Sequence, residues 1–295
     1  MKILSLFDWI ACWYEALLRA WIKVDAYYAS EIDKYAIQIA LKNHPDIIEI
    51  WDVCNVKWED YQDIDLLIWG SPCQWFSVAG KQLAFDDPRS KLFFEFVRIL
   101  KEAKPKYFLL ENVKMRKEWI DIISWYLWVE PIEIDSALVS AQRRKRLYWT
   151  NIPWVTQPKD KWLVLNDILE NKGGRYLTNE QLEKVKYLKW AKAIPRVKNW
   201  HKYTYREWAI PFPDSIEKPS RTILTSEGGI SRTSHTIADK IWIRKLTPIE
   251  CERLQTLPDN YTEWVSDTQR YKMLWNWWTV DVIAHIFRFM ECNSH

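Results

Sequence analysis

Short apolar runs recur through the first half of the chain. Each is followed by polar or turn residues and then by apolar positions at helical spacing. Runs at 2–7, 24–30, 47–50, 64–68 and 107–110 predict buried strands, and the spacing at 14–20, 33–41, 90–101 and 121–127 predicts helices between them. Regular alternation of strand and helix predicts an α/β domain on a mostly parallel sheet. A strand pair at 132–141 and 147–152 adds an antiparallel part, with the basic stretch Gln142-Arg143-Arg144-Lys145-Arg146 between them. Read alone, that stretch is a surface turn. Residues 155–245 lose the alternation. It returns with Thr247-Pro248, a cap followed by proline as at helix starts, and with a closing helix expected over 280–290. This divides the chain into a catalytic region 1–154, a small region 155–245 and a return segment 246–295.

Composition changes the picture in two ways. The 295 residues are 48% hydrophobic, enough for a large core. Five cysteines, at 12, 54, 73, 251 and 292, include no C-x-x-C pair. That argues against a zinc ribbon or a disulfide framework and fits a reducing cytoplasm. No apolar run is long enough to span a membrane and no leader is visible. The net charge of +3 hides an asymmetry: residues 156–245 hold 18 Lys and Arg against 10 Asp and Glu. From Lys184 to Arg206 there are eight basic residues and no acidic one, with Tyr187, Trp190, Tyr203 and Tyr205 interleaved. A solvated helix face is the plain reading of such a run. The contrast with the rest of the chain favours a phosphate backbone.

The candidate chemistry sits at predicted strand ends. Asp8, Glu31, Asp52, Cys73 and Glu111 each follow an apolar run, and ligands of open α/β sheets bind beyond the carboxyl ends of the strands. Glu31 lies 22 residues after Trp9, the spacing of an acid that accepts from a ribose. Each acid alone is also a common cap or turn residue. Cys73 follows a Gly-Ser-Pro turn that lifts it from the sheet edge, where a thiolate would be a nucleophile. A lone cysteine in a turn is more often structural.

Taken together, the motifs carry a resemblance. Gly70-Ser71-Pro72-Cys73-Gln74, Glu111-Asn112-Val113, Gln142-x-Arg144-x-Arg146, and Arg244-Lys245-Leu246-Thr247-Pro248-x-Glu250 with Arg253-Leu254-Gln255 resemble the ordered motifs of DNA (cytosine-5)-methyltransferases of bacterial and phage type. The helix at 92–96 and the strand at 147–151 are also similar to those of the animal de novo enzymes. The resemblance runs from Leu6 to Phe289. It implies a Rossmann-like class I methyltransferase fold with a small target-recognition region, and S-adenosyl-L-methionine as cofactor. Phe7 would stack on the adenine, Glu31 would accept from the ribose and Asp52 from the adenine amino group. Trp9, Ile10, Ile32, Val53, Pro72, Leu92, Asn276 and Trp277 would complete the cofactor site. Cys73 would attack C6 of a flipped cytosine, Glu111 would handle the proton at its N3 edge, and Arg144 and Arg146 would hold the base and the cysteine loop. The partners implied are double-stranded DNA and, in a restriction-modification system, a cognate restriction endonuclease.

Three other readings stay in view. A zinc nucleobase deaminase needs P-C-x-x-C and H-x-E, but position 76 is Phe and no histidine begins H-x-E. An RNA cytosine methyltransferase on the same fold is a nearer rival, and an inactive DNA-binding relative is a third. The last is raised by the tryptophans, of which there are 21 against six glycines, where about 20 glycines would be usual. Trp9, Trp51, Trp75 and Trp275 stand where the resembled family has glycine. Trp13, Trp21, Trp69, Trp128, Trp154, Trp162, Trp208, Trp264 and Trp277 are expected at turns or helix ends, whereas Trp149 and Trp278 look native to the family. UGA, which some bacteria read as glycine and other codes as tryptophan, would produce this pattern.

Overall fold

The computed structural model describes residues 1–61, 63–70, 91–171, 173–198, 201–224, 227 and 229–293. Strands β1 (Lys2–Leu6), β2 (Ala26–Ser30), β3 (Ile48–Glu49), β4 (Leu66–Gly70) and β5 (Tyr107–Val113) pair in parallel. Helices α1 (Cys12–Arg19), α2 (Lys34–Asn43) and α3 (Lys91–Ala103) lie between them in sequence, and α4 (Lys117–Leu127) follows β5. Strands β6 (Ile132–Asp135) and β7 (Lys145–Thr150) complete a seven-stranded sheet in the order β3-β2-β1-β4-β5-β7-β6. Only β7 runs antiparallel to its neighbours. The order reverses between β1 and β4, the switch point at which open α/β sheets bind ligands.

The continuous apolar runs follow from burial on both faces. Successive side chains point to opposite sides of the sheet. Ile3, Leu66, Ile68 and Leu109 pack on one side with α1 and with a late helix, α8 (Val280–Phe287). Leu4, Leu67, Trp69, Phe108 and Leu110 pack on the other with Phe93, Phe96 and Ile123. Asp33 caps α2 by accepting from the Tyr35 N–H at 2.9 Å.

The second half adds α5 (Asn179–Lys189), the hairpin β8 (Lys192–Lys198) and β9 (His201–Glu207), the pair β10 (Thr236–Ala238) and β11 (Ile243–Lys245), and helices α6 (Pro248–Leu254) and α7 (Asp267–Trp275) before α8. Leu177, Leu182 and Val185 form a small separate core with Phe212, Ile230 and Ile243. Thr247 and Glu250 cap α6 reciprocally, as the Thr-Pro-x-Glu spacing predicts. Arg244 is fully buried and grips Glu250 with two nitrogens, at 2.7 and 2.9 Å. Among the described residues no helix is long and apolar enough to cross a membrane.

Several expectations are corrected. Glu111-Asn112-Val113 does not follow β5 but forms its last three residues, because β7 pairs antiparallel with it and extends the ladder. The strand expected over 132–141 stops at Asp135, whose carboxylate accepts from the Ala137 N–H and turns the chain. The 142–146 stretch is no surface turn: Gln142 and Arg144 are buried. Lys189 leaves the basic face altogether and is buried in an ion pair with Asp214 at 3.0 Å. Trp69 lies inside β4 and not at a turn or helix end, whereas Trp13 is the second residue of α1.

Six other tryptophans tell a different story. Trp9, Trp21, Trp51, Trp128, Trp154 and Trp162 adopt left-handed backbone with φ between 55° and 62°. Among the described residues they are half of the twelve non-glycine residues with positive φ. Asn and Asp are the side chains that tolerate this region; a bulky one costs about 1–2 kcal/mol. Six such sites cost roughly 6–12 kcal/mol, comparable to the net stability of a domain. Trp21, Trp128, Trp154 and Trp162 are also largely exposed, so their rings recover little of that cost. Glycine at each of these four positions relieves about 1–2 kcal/mol of strain and gives back about 0.4–1 kcal/mol through unfolded-chain entropy. Each Trp→Gly substitution is therefore expected to raise stability by about 0.5–1 kcal/mol in denaturant unfolding. Alanine at the same positions keeps the Cβ clash and serves as the control that gains little.

Candidate active site at the sheet edge

Backbone register places the predicted residues in one row. Leu6 pairs with Ser30 on one side and with Trp69 on the other, and Trp69 pairs with Leu110. The next residues, Glu31, Phe7, Gly70 and Glu111, therefore stand side by side at the carboxyl edge of β2, β1, β4 and β5. Gly70 and Glu111 are themselves register partners. With strands about 4.8 Å apart, Glu31 and Glu111 are separated by roughly 14–15 Å, a span suited to a ligand lying across the switch point.

The β2 end is built around carboxylates. Glu31 is buried and accepts from the backbone N–H groups of Trp9 at 3.0 Å and of Ile32 and Asp33 at 2.8 Å. Burial nevertheless pushes its carboxyl above the usual range. Ile32 beside it is an apolar side chain left 74% exposed. Asp52 is exposed, caps the turn at Val53–Asn55, and accepts from the Cys54 N–H at 2.9 Å; Val53 is buried below. Asp8, fully buried, accepts from Ser5 Oγ and Tyr27 OH through Oδ1, while Oδ2 has no partner among the described residues. Desolvation lifts the Asp8 carboxyl to about 7 and that of nearby Glu49 to about 8. The raised carboxyls of Asp8 and Glu49 were not anticipated; only their partial or complete burial, which periodicity cannot show, reveals them.

The β5 end is built around Glu111. Its carboxyl is buried and raised by desolvation, partly offset by Arg146 and Arg144. Arg146 Nε lies 3.0 Å from Glu111 Oε1. The contact is diagonal across the strand pair, since Arg146 is level with Val113 and Glu111 with Tyr148. Arg144 donates to the Trp275 carbonyl at 3.1 Å, and its own N–H reaches Asp135 at 2.9 Å. Gln142, the first residue of that motif, has a structural task. It donates to the Leu254 carbonyl at 3.3 Å and accepts from the Ile223 N–H at 3.0 Å.

The remaining candidates divide. Phe7 is half-buried and stacks on Trp69 with ring centroids 5.8 Å apart. Ile10 is buried in the core, and its carbonyl accepts from Tyr261 OH. Leu92, near the start of α3, is half-buried against the core on that side of the sheet. Asn276 is half-buried at the end of α7. Trp277 is buried, 3.7 Å from Trp278 between ring centroids, so its side chain belongs to the core and not to the edge. Pro72 and Cys73 lie outside the described residues, as does Trp75. What is described is their launching point. Gly70 ends β4, and a Cβ there would fall 1.8 Å from the Trp278 ring, so only glycine fits.

The chain is similar to known proteins over most of its length. The family described as C-5 cytosine-specific DNA methylase matches residues 1–118 and 139–292. The type II methyltransferase M1.ScrFI of Lactococcus lactis subsp. cremoris is 32% identical over 86% of this chain and 69% of its own length. The type II methyltransferase M.NlaX of Neisseria lactamica is 30% identical over 98% of this chain and 96% of its own. In fold, the chain is similar to the Entamoeba histolytica methyltransferase EhMeth, with a TM-score of 0.78 at 16% identity over 98% of this chain and 97% of that one.

Asp8 makes the edge sensitive to pH. Its folded-state value of about 7 lies above the ordinary 3.8, so the folded protein holds a proton that the unfolded chain releases between these values. Stability is therefore greatest below about pH 4 for this group and declines as pH rises towards 7. The decline is on the order of 4 kcal/mol. Asp8→Asn removes the titration, and thermal unfolding of the variant between pH 4 and 7 is expected to show a flatter profile than the parent.

Proposed function

The chain belongs to the C-5 cytosine-specific DNA methylase family, and we propose that it methylates C5 of a flipped cytosine in double-stranded DNA through a covalent adduct at Cys73. The observation that carries the reading is the pairing of Gly70 with Glu111. The strand leading into Cys73 and the strand bearing the buried acid end next to each other.

S-adenosylmethionine is the methyl donor of this family and supplies an electrophilic methyl group on a sulfonium. The residues present suit its adenosine end. Glu31 offers carboxylate oxygens to the ribose, Asp52 an acceptor to the adenine amino group, and exposed Ile32 a face for the ring. Asn276 would border the methionine end.

The chain's residues act on the base, with water as the outlet for protons. Cys73 gives its proton to water and its sulfur adds to C6. Glu111, whose carboxyl burial holds above the usual range, delivers a proton to N3 as the ring becomes enamine-like. C5 then has the electron density to take the methyl group. Loss of the C5 proton to water, departure of the thiolate and return of the N3 proton to Glu111 restore the aromatic ring. Arg146 holds the Glu111 carboxyl in place at 3.0 Å. Arg144 fixes the end of α7 to the β7 edge. The base must leave the duplex to reach these groups.

Region 155–245 is proposed to grip the DNA. The β8–β9 hairpin is exposed along most of both strands. A two-stranded hairpin is marginal on its own in water, and the major groove admits such a ribbon. Its cations lie over aromatic faces: Arg196 is 4.1 Å from the Tyr205 ring centre and Lys192 is 3.8 Å from that of Tyr187. A cytoplasmic site of action accords with free Cys12, Cys54 and Cys251. The type II designations of its relatives support a cognate restriction endonuclease as partner.

Cys73→Ser is expected to abolish transfer of labelled methyl groups to DNA while leaving DNA affinity within twofold. A duplex containing 5-fluorocytosine should trap the parent enzyme at Cys73 and not the variant. Turnover by the variant would remove the nucleophile assignment, and transfer to tRNA but not DNA would replace the substrate.

Replacing Lys184, Arg196, Lys202 and Arg206 with glutamine is expected to weaken binding to all DNA sequences alike. The slope of log K against log salt should flatten by up to about 3–4, at roughly 0.9 for each phosphate no longer neutralised. An unchanged slope would mean that the hairpin is not on the DNA. Lys189 is left intact because its ion pair with Asp214 is part of the fold.

A further inference from the structure

We infer that Trp9, Trp21, Trp51, Trp128, Trp154 and Trp162 occupy glycine positions of the working enzyme, and that the Trp9 indole obstructs the S-adenosylmethionine pocket of the chain as written. The second half of this inference rests on the cofactor reading above; the first does not.

The backbone carries the first half. All six residues are left-handed, a conformation glycine adopts freely and tryptophan rarely. Only two described glycines, Gly173 and Gly174, have positive φ. Among the described residues, tryptophan therefore stands in three times as many such positions as glycine. Helix and strand ends explain the sites. Trp128 stands immediately after α4 as its left-handed C-cap, where glycine is the usual residue. Trp21 follows the end of α1, and Trp9 lies in the tight turn between β1 and α1.

The core shows the same excess. Trp278 packs against Gly70 so closely that no side chain fits there. Yet Trp13 and Trp277 crowd the same indole, with ring centroids 4.0 and 3.7 Å away and planes tilted by 46° and 35°. Aromatic pairs settle at 4.5–7 Å. Among the described residues, the buried indole N–H groups of Trp13 and Trp278 find no acceptor. Smaller residues at 13 and 277 would leave Trp278 alone in its place against Gly70.

The obstruction follows from where the Trp9 ring goes. Its backbone N–H donates to Glu31 Oε2 at 3.0 Å, which fixes the turn beside the ribose acceptor. Its indole N–H donates to the Met273 carbonyl on α7 at 3.0 Å, and the Lys272 ammonium sits 5.8 Å over the ring. The indole thus bridges the gap between the β1 edge and the α7 end that carries Asn276. A ligand reaching from Glu31 towards Asn276 must cross that gap. Trp51, at the end of β3 beside Asp52, places a second indole, 61% exposed, at the adenine end.

Two measurements test this. The first is the nucleotide sequence at the six codons, with codons 149 and 278 as internal reference. UGA at the six and UGG at the two references is expected, and UGG at all six would overturn the glycine assignment. The second is calorimetric titration of S-adenosylmethionine into the chain as written, Trp9→Gly, Trp9→Ala and the chain with glycine at all six positions. Trp9→Gly and the sixfold variant are expected to bind at least tenfold more tightly than the chain as written. Trp9→Ala, which removes the ring but keeps the strained turn, is expected to fall between. Equal affinity in all four would overturn the obstruction. Absence of binding in all four, with UGA at codon 9, would overturn the cofactor reading and the obstruction with it while upholding the glycine assignment.

Discussion

The ladder of parallel backbone hydrogen bonds across β2, β1, β4 and β5 is the constraint on which the site depends. It sets Glu31, Phe7, Gly70 and Glu111 in one row with no direct contact needed between their side chains. A slip of one residue in any strand would turn that strand's functional side chain to the other side of the sheet. The register is held by burial on both faces, since a slip would also exchange Leu66 and Ile68 for Leu67 and Trp69 between two different cores. The chemistry thus takes its precision from the least specific interaction in the molecule, apolar burial.

The second half of the chain closes on this frame through buried polar groups. Gln255 donates to the Leu274 carbonyl at 2.7 Å and accepts from Thr279, while Gln142 joins the β6–β7 connection to the end of α6. Arg244, Glu250 and Asp239 tie β11 and the β10–β11 turn to α6, and Glu250 also accepts from the Glu170 N–H. In the small region, Lys189 and Asp214 play the corresponding part, with Thr236 and Arg221 as further partners. Such pairs add little net stability over apolar packing, but breaking one leaves an uncompensated buried charge. They fit a role in fixing how a hairpin rich in exposed cations is presented relative to the edge that holds Glu111.

The left-handed tryptophans set a limit on this frame. At exposed turns they are a matter of stability, because the ring reaches water and only the backbone suffers. At Trp9 strain and function coincide, because the turn that presents its N–H to Glu31 also directs its indole across the ligand's path. A turn that tight beside a ligand leaves no room for a side chain, which is why glycine is usual in such places.

The sequence by itself determined the strand and helix alternation, the row of strand-end acids, the cap at Thr247 and the family, since each rests on local spacing or on ordered motifs. Apolar runs announce buried strands because burial on both faces demands them, and Thr-Pro-x-Glu announces a helix start because the cap is made within four residues. Tertiary structure decided the rest. Lys189 lies in a run of exposed cations, and only the approach of Asp214, 25 residues away, buries it. Glu111-Asn112-Val113 reads as a segment after a strand, and pairing with β7 carries the strand on through Val113. Arg144 and Gln142 read as a basic surface turn until α6 and α7 cover them. Asp8 could be placed at the sheet edge, but its raised carboxyl depends on complete burial beside Tyr27, 19 residues further on. In each case the deciding partner is remote in sequence, and a side chain's burial and charge state are set by whatever the fold brings against it.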